Sequence, residues 1–249
     1  MTAGRRSRRR ERSTSRRDGA QPPPLPGHVP PARARRRLIV TATGIGGAGL
    51  LGISLSAKAD SRQFCILTMG LAGTWAAGAL SSGPLPLTMP RDRDGTRCRP
   101  VVMPLLAGAG AFGLFYGAAR LARHIPPLNR AIASVLRYAD DGSTPLVLAT
   151  ASANAVAEEL FFRGALWSLA GKSHPLAKTT LAYAATTAAT RNPALVLAGT
   201  ATSVLFGLQR RTSGGVMAPA LSHLTWSLLM LRYLPPLFPA PRPPQITRD

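Results

Sequence analysis

Apolar positions in this chain fall in long runs, with polar residues gathered between them. The runs cover 38–57, 63–82, 101–120, 145–170, 176–190, 194–210 and 215–234. Each is roughly the length that carries a helix across a bilayer, the fifth and sixth being shorter and more polar. The expected fold is therefore all-α, a polytopic transmembrane helical bundle of about seven spans. Residues 1–37 are rich in Arg, Ser and Pro without apolar periodicity and read as a disordered tail. Residues 38–234 form the membrane domain, and 235–249, with Pro235, Pro236, Pro239, Pro241, Pro243 and Pro244, read as a non-helical tail. Between the third and fourth runs, Leu128 to Tyr138 is amphipathic and suits the membrane interface. Glycines in the first and third runs, among them Gly47, Gly52 and Gly108, allow close helix approach. They inform packing and imply no chemistry.

Charge sets the orientation. The 249 residues include 31 Lys+Arg against 10 Asp+Glu, a formal net charge of +21. Much of that excess lies in the first 37 residues, so a specific nucleic-acid partner is not expected, and anionic lipid headgroups are the natural neighbours. The mean hydropathy is only +0.08 because this tail dilutes the apolar remainder. Arg91 to Arg99, Lys172 with Lys178, and Arg210 with Arg211 belong on the cytoplasmic side by their positive charge. Seven spans with a cytoplasmic N-terminus satisfy all three, leaving the C-terminus outside. Arg120, Arg123, Arg130 and Arg137 then fall on the outer side, against the rule. The first apolar run begins at Leu38, too far in for an ordinary signal peptide and without a cleavage site. A multi-pass protein of the cell membrane is expected. Cys65 and Cys98 give neither a disulfide framework nor metal-ligand spacing.

The chemistry concentrates in Glu158-Glu159-Leu160-Phe161-Phe162-Arg163-Gly164, inside the fourth run. A charged residue at the centre of a spanning helix costs about 2.5–3.5 kcal/mol on insertion scales, so three in six positions need a reason. Glu159 and Arg163 are one turn apart and can pair. Glu158 is rotated by about 100° from Glu159 and cannot serve the same arginine equally. It is the less compensated carboxylate, suited to general acid or base work. The plainer reading is an ion pair that locks helices, with Glu158 a hydrogen-bonded structural residue. His223 lies in another apolar run with Ser227 one turn further on; Ser222 does not face it and makes a poor nucleophile for it.

These residues resemble the CPBP (Abi/CAAX-protease) family of intramembrane endopeptidases. Glu158 to Gly164 fits its EExxxR pattern, and His223-Leu224-Thr225-Trp226-Ser227 fits its HxxxN motif with Ser for Asn. The Gly-rich stretch from Gly207 to Pro219 is also similar, and the resemblance covers about residues 145–232. It implies hydrolysis of a peptide bond in a membrane-associated peptide or protein substrate by glutamate-activated water. Glu158 would activate the water, Glu159 would partner it, tied to Arg163, and His223 would orient the water or intermediate. Ser227 would stand where Asn donates to the oxyanion. The family's middle motif, FxxxH, departs here: Tyr183-Ala184-Ala185-Thr186-Thr187 supplies Thr187 for the histidine, as a hydrogen-bonding substitute at most. No cofactor is firmly implied; a divalent metal such as zinc stays open, with one His plus carboxylates short of a usual ligand set. Two other readings are a non-catalytic relative serving as a binding or scaffold component, and, with less support, a proton-linked transporter.

Overall fold

The computed structural model describes residues 31–59, 61–87, 99–140 and 144–239, and among them there are helices and no strand. The helices are α1 (Pro31–Ser54), α2 (Arg62–Ser81), α3 (Arg99–Ala122), α4 (Pro126–Asp140), α5 (Thr144–Glu159), α6 (Trp167–Ala170), α7 (Pro175–Ala188), α8 (Pro193–Ser213) and α9 (Met217–Tyr233). A π-helical stretch, Leu160–Leu166, joins α5 to α6 without a break, and a 3₁₀ turn, Pro235–Leu237, follows α9.

Helix starts follow local chemistry. Ser61 caps α2 by accepting from the Phe64 amide, and Asn192 caps α8 by accepting from the Leu195 amide with Pro193 next. Gly214 ends α8 in the left-handed region, at φ 71°, a conformation that costs glycine nothing. At the other end of the chain α1 differs from expectation. It starts at Pro31 and takes Arg33 and Arg35 to Arg37 into its first turns, residues assigned above to the disordered tail. Proline at a helix start needs no amide partner and arginine is a good helix former, so the helix runs past the apolar segment. The C-terminal tail is corrected likewise: Pro235–Leu237 forms its turn against α4 and α9. Residues 1–30, the loop from 88 to 98 with Cys98, and 240–249 lie outside the described residues.

Three described helices are long and apolar enough to cross a membrane, at Ala32–Ser54, Arg62–Ser81 and Val101–Ala122. Their outward faces carry Leu38, Ile45, Ile66, Leu114 and Leu121, all exposed, as a lipid-facing surface requires. The other four expected spans are helical but fall short of that standard. α7 has 14 residues, and the helix at 144–170 holds the buried charges. α4 covers the amphipathic segment at 128–138.

The continuous helix from Thr144 to Ala170 sits at the centre, packed on α2, α7, α8 and α9. α3 lies on α9, and α1 on α2 and α7. Trp75 of α2 inserts between Phe161 and Phe162, with ring centroids 4.7 and 5.2 Å apart, and Leu71, Ala165 and Val40 complete the core around it. Tyr138 closes α4 onto the end of α1, donating at 2.6 Å to the Leu55 carbonyl, with the Ala57 carbonyl 2.8 Å away. The result is a bundle whose most buried element is the one that carries the charges.

Candidate active site

Two of the three charges of the fourth apolar run are fully inside protein. Glu159 and Arg163 are both 0% exposed, with Arg163 Nε 3.2 Å from Glu159 Oε2. Desolvated charges need further partners, and each has one. Arg163 Nη2 donates to the Ser203 carbonyl of α8 at 3.0 Å. Glu159 Oε1 lies 3.0 Å from His223 Nδ1 of α9. Arg163 Nη1 makes no hydrogen bond, but the guanidinium lies over the rings of Tyr183 and Phe206, 5.3 and 5.8 Å from their centres. One ion pair thus ties three helices together.

The backbone beneath it is unusual. From Leu160 to Leu166 the turns are π-helical, and the Trp167 amide reaches back to the Phe162 carbonyl. Such widened turns loosen the carbonyl ladder and recur at functional sites. Here side chains satisfy the carbonyls: Arg210 Nε donates to the Arg163 carbonyl at 2.8 Å, and Ser168 Oγ to that of Gly164 at 2.7 Å. Arg163 is held at both ends, by its guanidinium and by its peptide.

Glu158 points elsewhere. It is partly buried, and its Oε2 accepts from the Tyr183 hydroxyl of α7 at 2.5 Å. It lines a cavity of about 380 Å³ with Tyr183, Thr187, His223 and Ser227. Most of that cavity is apolar, walled by side chains such as Leu55 from the turn after α1, and Phe64, Leu136 and Leu231 from α2, α4 and α9. Asn154, one turn before Glu158, also faces it and ties α5 to α2 through the Thr68 carbonyl. The two adjacent glutamates therefore serve different surroundings: Glu159 a closed network, Glu158 a cavity.

The residues singled out from sequence are placed as follows. Glu158, Thr187, His223 and Ser227 share the cavity; Glu159 and Arg163 lie behind it. His223 stacks on Phe206 at 4.9 Å, and with Nδ1 facing Glu159 its Nε2 is the other ring nitrogen. Thr187 behaves differently from expectation. Its hydroxyl is 3.0 Å from the carbonyls of both Tyr183 and Ala184, so its proton stays on its own helix and it is no substitute donor for a histidine. Ser222 donates to the Pro104 carbonyl at 2.7 Å and accepts from Gln209 at 2.8 Å, a tie between α3, α8 and α9. Two contacts were not foreseen: Tyr183 on Glu158, and Glu159 on His223. The signal for the first is a hydroxyl where the family motif has Phe; the second joins residues 64 apart and has no local signal.

The donor set does not fit a metal. Among the described residues no three His, Cys, Asp or Glu side chains are grouped so as to hold one. Glu159 is already occupied by Arg163 and His223, leaving Glu158 and one imidazole nitrogen, too few for a protein zinc site.

Residues 140–229 match the family model described as type II CAAX prenyl endopeptidase Rce1-like. No curated protein and no solved structure matches the chain. The matched segment runs from the end of α4 into α9 and contains every residue of the constellation above. Over these residues the chain is similar to the Rce1-like CAAX prenyl endopeptidases, in agreement with the CPBP resemblance carried by its EExxxR and HxxxS motifs.

Proposed function

We propose that this protein is an intramembrane endopeptidase of the CPBP/CAAX-protease type, hydrolysing a peptide bond in a membrane-associated substrate with water activated by Glu158. The observation that carries this reading is the pairing of a partly accessible carboxylate with His223 on one apolar cavity, while a buried Glu159–Arg163 pair holds the histidine from behind. A base works best when positioned by groups that do not themselves react.

In this mechanism Glu158 takes a proton from water as the water oxygen bonds to the substrate carbonyl carbon. The Ser227 hydroxyl donates to the resulting oxyanion, while His223, with its Nδ1–H directed at Glu159, accepts at Nε2 a hydrogen bond from the attacking water and orients it. The carbon–nitrogen bond then breaks, and Glu158 returns its proton to the leaving amine. Two chain ends result, a carboxylate and an amine. Leu55, Phe64 and Leu136 suit an apolar anchor on the substrate, such as a prenyl group. The enclosing bundle crosses the cell membrane about seven times, with the N-terminal arginines on the cytoplasmic side.

The test is cleavage of an internally quenched, farnesylated peptide ending in a CAAX-type sequence by purified protein in liposomes. Glu158→Gln lowers turnover by about 10²–10⁴-fold, the span of general-base contributions. Wild-type cleavage that survives this substitution unchanged would sink the mechanism. A second reading, a non-catalytic scaffold, is favoured by Thr187, which leaves the middle-motif position without a base. It requires that the wild type cut nothing and that the Glu159–Arg163 pair matter for stability alone.

A further inference from the structure

Position 187 leaves a gap in the constellation. Where the family motif has a histidine this chain has Thr187, whose proton is directed to the carbonyls of its own helix. The polar contact from α7 to Glu158 comes instead from one turn earlier, where the Tyr183 hydroxyl donates to Oε2. Residues four apart lie on one helix face, so both positions look onto the same cavity.

Tyr183 is placed with unusual definition for a side chain beside a cavity. Its ring packs on Phe162 at 4.7 Å and beneath the Arg163 guanidinium at 5.3 Å. On its other side α8 approaches closely because residue 199 is glycine. A Cβ there would stand 2.8 Å from Tyr183 Cε1 and 3.1 Å from Thr187 Cγ2. The ring is thus fixed by the same arginine that fixes Glu159. Its hydroxyl in turn fixes one oxygen of a glutamate that would otherwise rotate about its side-chain torsions.

We infer that Tyr183 is the positioning residue for Glu158, supplying through its hydroxyl the contact that Thr187 does not. With Oε2 held by the phenol, Oε1 is the oxygen that takes the proton from water. Tyr183 keeps its own proton throughout and is not a base. The inference rests on the peptidase reading for its catalytic consequence, while the pairing itself stands apart from it.

Two measurements on the full-length protein in liposomes separate these parts. The first is cleavage of the farnesylated quenched peptide by Tyr183→Phe, which keeps the ring and its packing. A hydrogen bond to a charged group accounts for about 10- to 100-fold in rate, and we expect that loss in kcat with KM within about twofold of wild type. A tyrosine that merely filled space would leave kcat unchanged on replacement by phenylalanine. The second is the rate at which dicyclohexylcarbodiimide, an apolar reagent for protonated carboxyls, labels Glu158, read by peptide mass spectrometry with Glu158→Gln as blank. Tyr183→Phe should label several-fold faster, because the phenol no longer occupies and shields Oε2. Equal labelling rates in the two forms, or no labelling of Glu158 in either, overturns the pairing. Unchanged kcat in Tyr183→Phe, with an active wild type, overturns the positioning role. A wild type that leaves the peptide uncut while Tyr183→Phe accelerates labelling defeats the peptidase reading and supports the pairing.

Discussion

Arg163→Met tests how much of the bundle depends on one ion pair. Arg163 Nε is 3.2 Å from Glu159 Oε2 and both side chains are 0% exposed, so solvent screens little of their attraction. At an effective dielectric of about 20 that distance corresponds to roughly 5 kcal/mol of direct attraction. Removing one member leaves Glu159 buried with only His223, and breaking such pairs costs about 3–5 kcal/mol. The Ser203 carbonyl also loses its donor, an effect that overlaps with the first and is not added to it. We therefore expect Arg163→Met to lose about 3–5 kcal/mol. The double variant Glu159→Gln/Arg163→Met removes the stranded charge and should recover at least about 2 kcal/mol, since replacing both members of a buried pair is often close to neutral. Equilibrium unfolding in mixed detergent micelles, followed by tryptophan fluorescence, measures both. An Arg163→Met protein within about 1 kcal/mol of wild type, or a double variant no more stable than the single, refutes the reasoning.

Three further outcomes follow from the geometry. Ser227→Ala removes the proposed oxyanion donor and should lower kcat for the farnesylated peptide by about 10²–10³-fold with unfolding free energy unchanged; equal effects on KM alone count against the assignment. Gly199→Ala places a methyl 2.8 Å from Tyr183 Cε1 and should cost about 1–3 kcal/mol in the micelle unfolding assay, as overpacking does. Treatment with 1,10-phenanthroline should leave cleavage within about twofold, because no three metal-donor side chains are grouped among the described residues. Loss of activity restored by added zinc would show that the donor set has been misjudged.

What the sequence makes legible is local, and what it hides is long-range. The Glu159–Arg163 contact can be read from four-residue spacing, because a helix fixes that geometry by itself. The three long apolar helices up to Ala122 are legible because most of their side chains lie outside the protein core and carry no buried charge. The later helices carry Glu158, Glu159, Arg163 and His223, and polar groups that serve an interior lower the hydropathy by which a span is recognised. The π-helical turns of Leu160–Leu166 have no Pro to announce them. The Gly164 carbonyl is met locally by Ser168, but that of Arg163 is met by Arg210, 47 residues on, a partner with no local signal. Thr187 illustrates the opposite error. Its position suggested a donor to the site, but a threonine in a helix has carbonyls of the preceding turn within reach, and those contacts win.

The arrangement of the two glutamates explains why charges this costly can be kept. A single buried carboxylate must be both fixed and available, and these demands conflict: partners that stabilise its charge also occupy the oxygens a reaction needs. Consecutive residues on one helix resolve the conflict, since the turn of about 100° between them aims one inward and one at the cavity. Glu159 takes the inward position, where Arg163 and His223 meet both of its oxygens. Glu158 takes the other, where Tyr183 holds one oxygen and the cavity receives the side chain. Arg163 then serves both, by charge toward Glu159 and by its face against the Tyr183 ring. Displacing the arginine should accordingly disturb Glu158, although the two make no hydrogen bond in this structure. In Arg163→Met carrying Glu159→Gln, a stable protein whose Glu158 reacts with dicyclohexylcarbodiimide at an altered rate would demonstrate that link, and an unaltered rate would show the two glutamates to be independent.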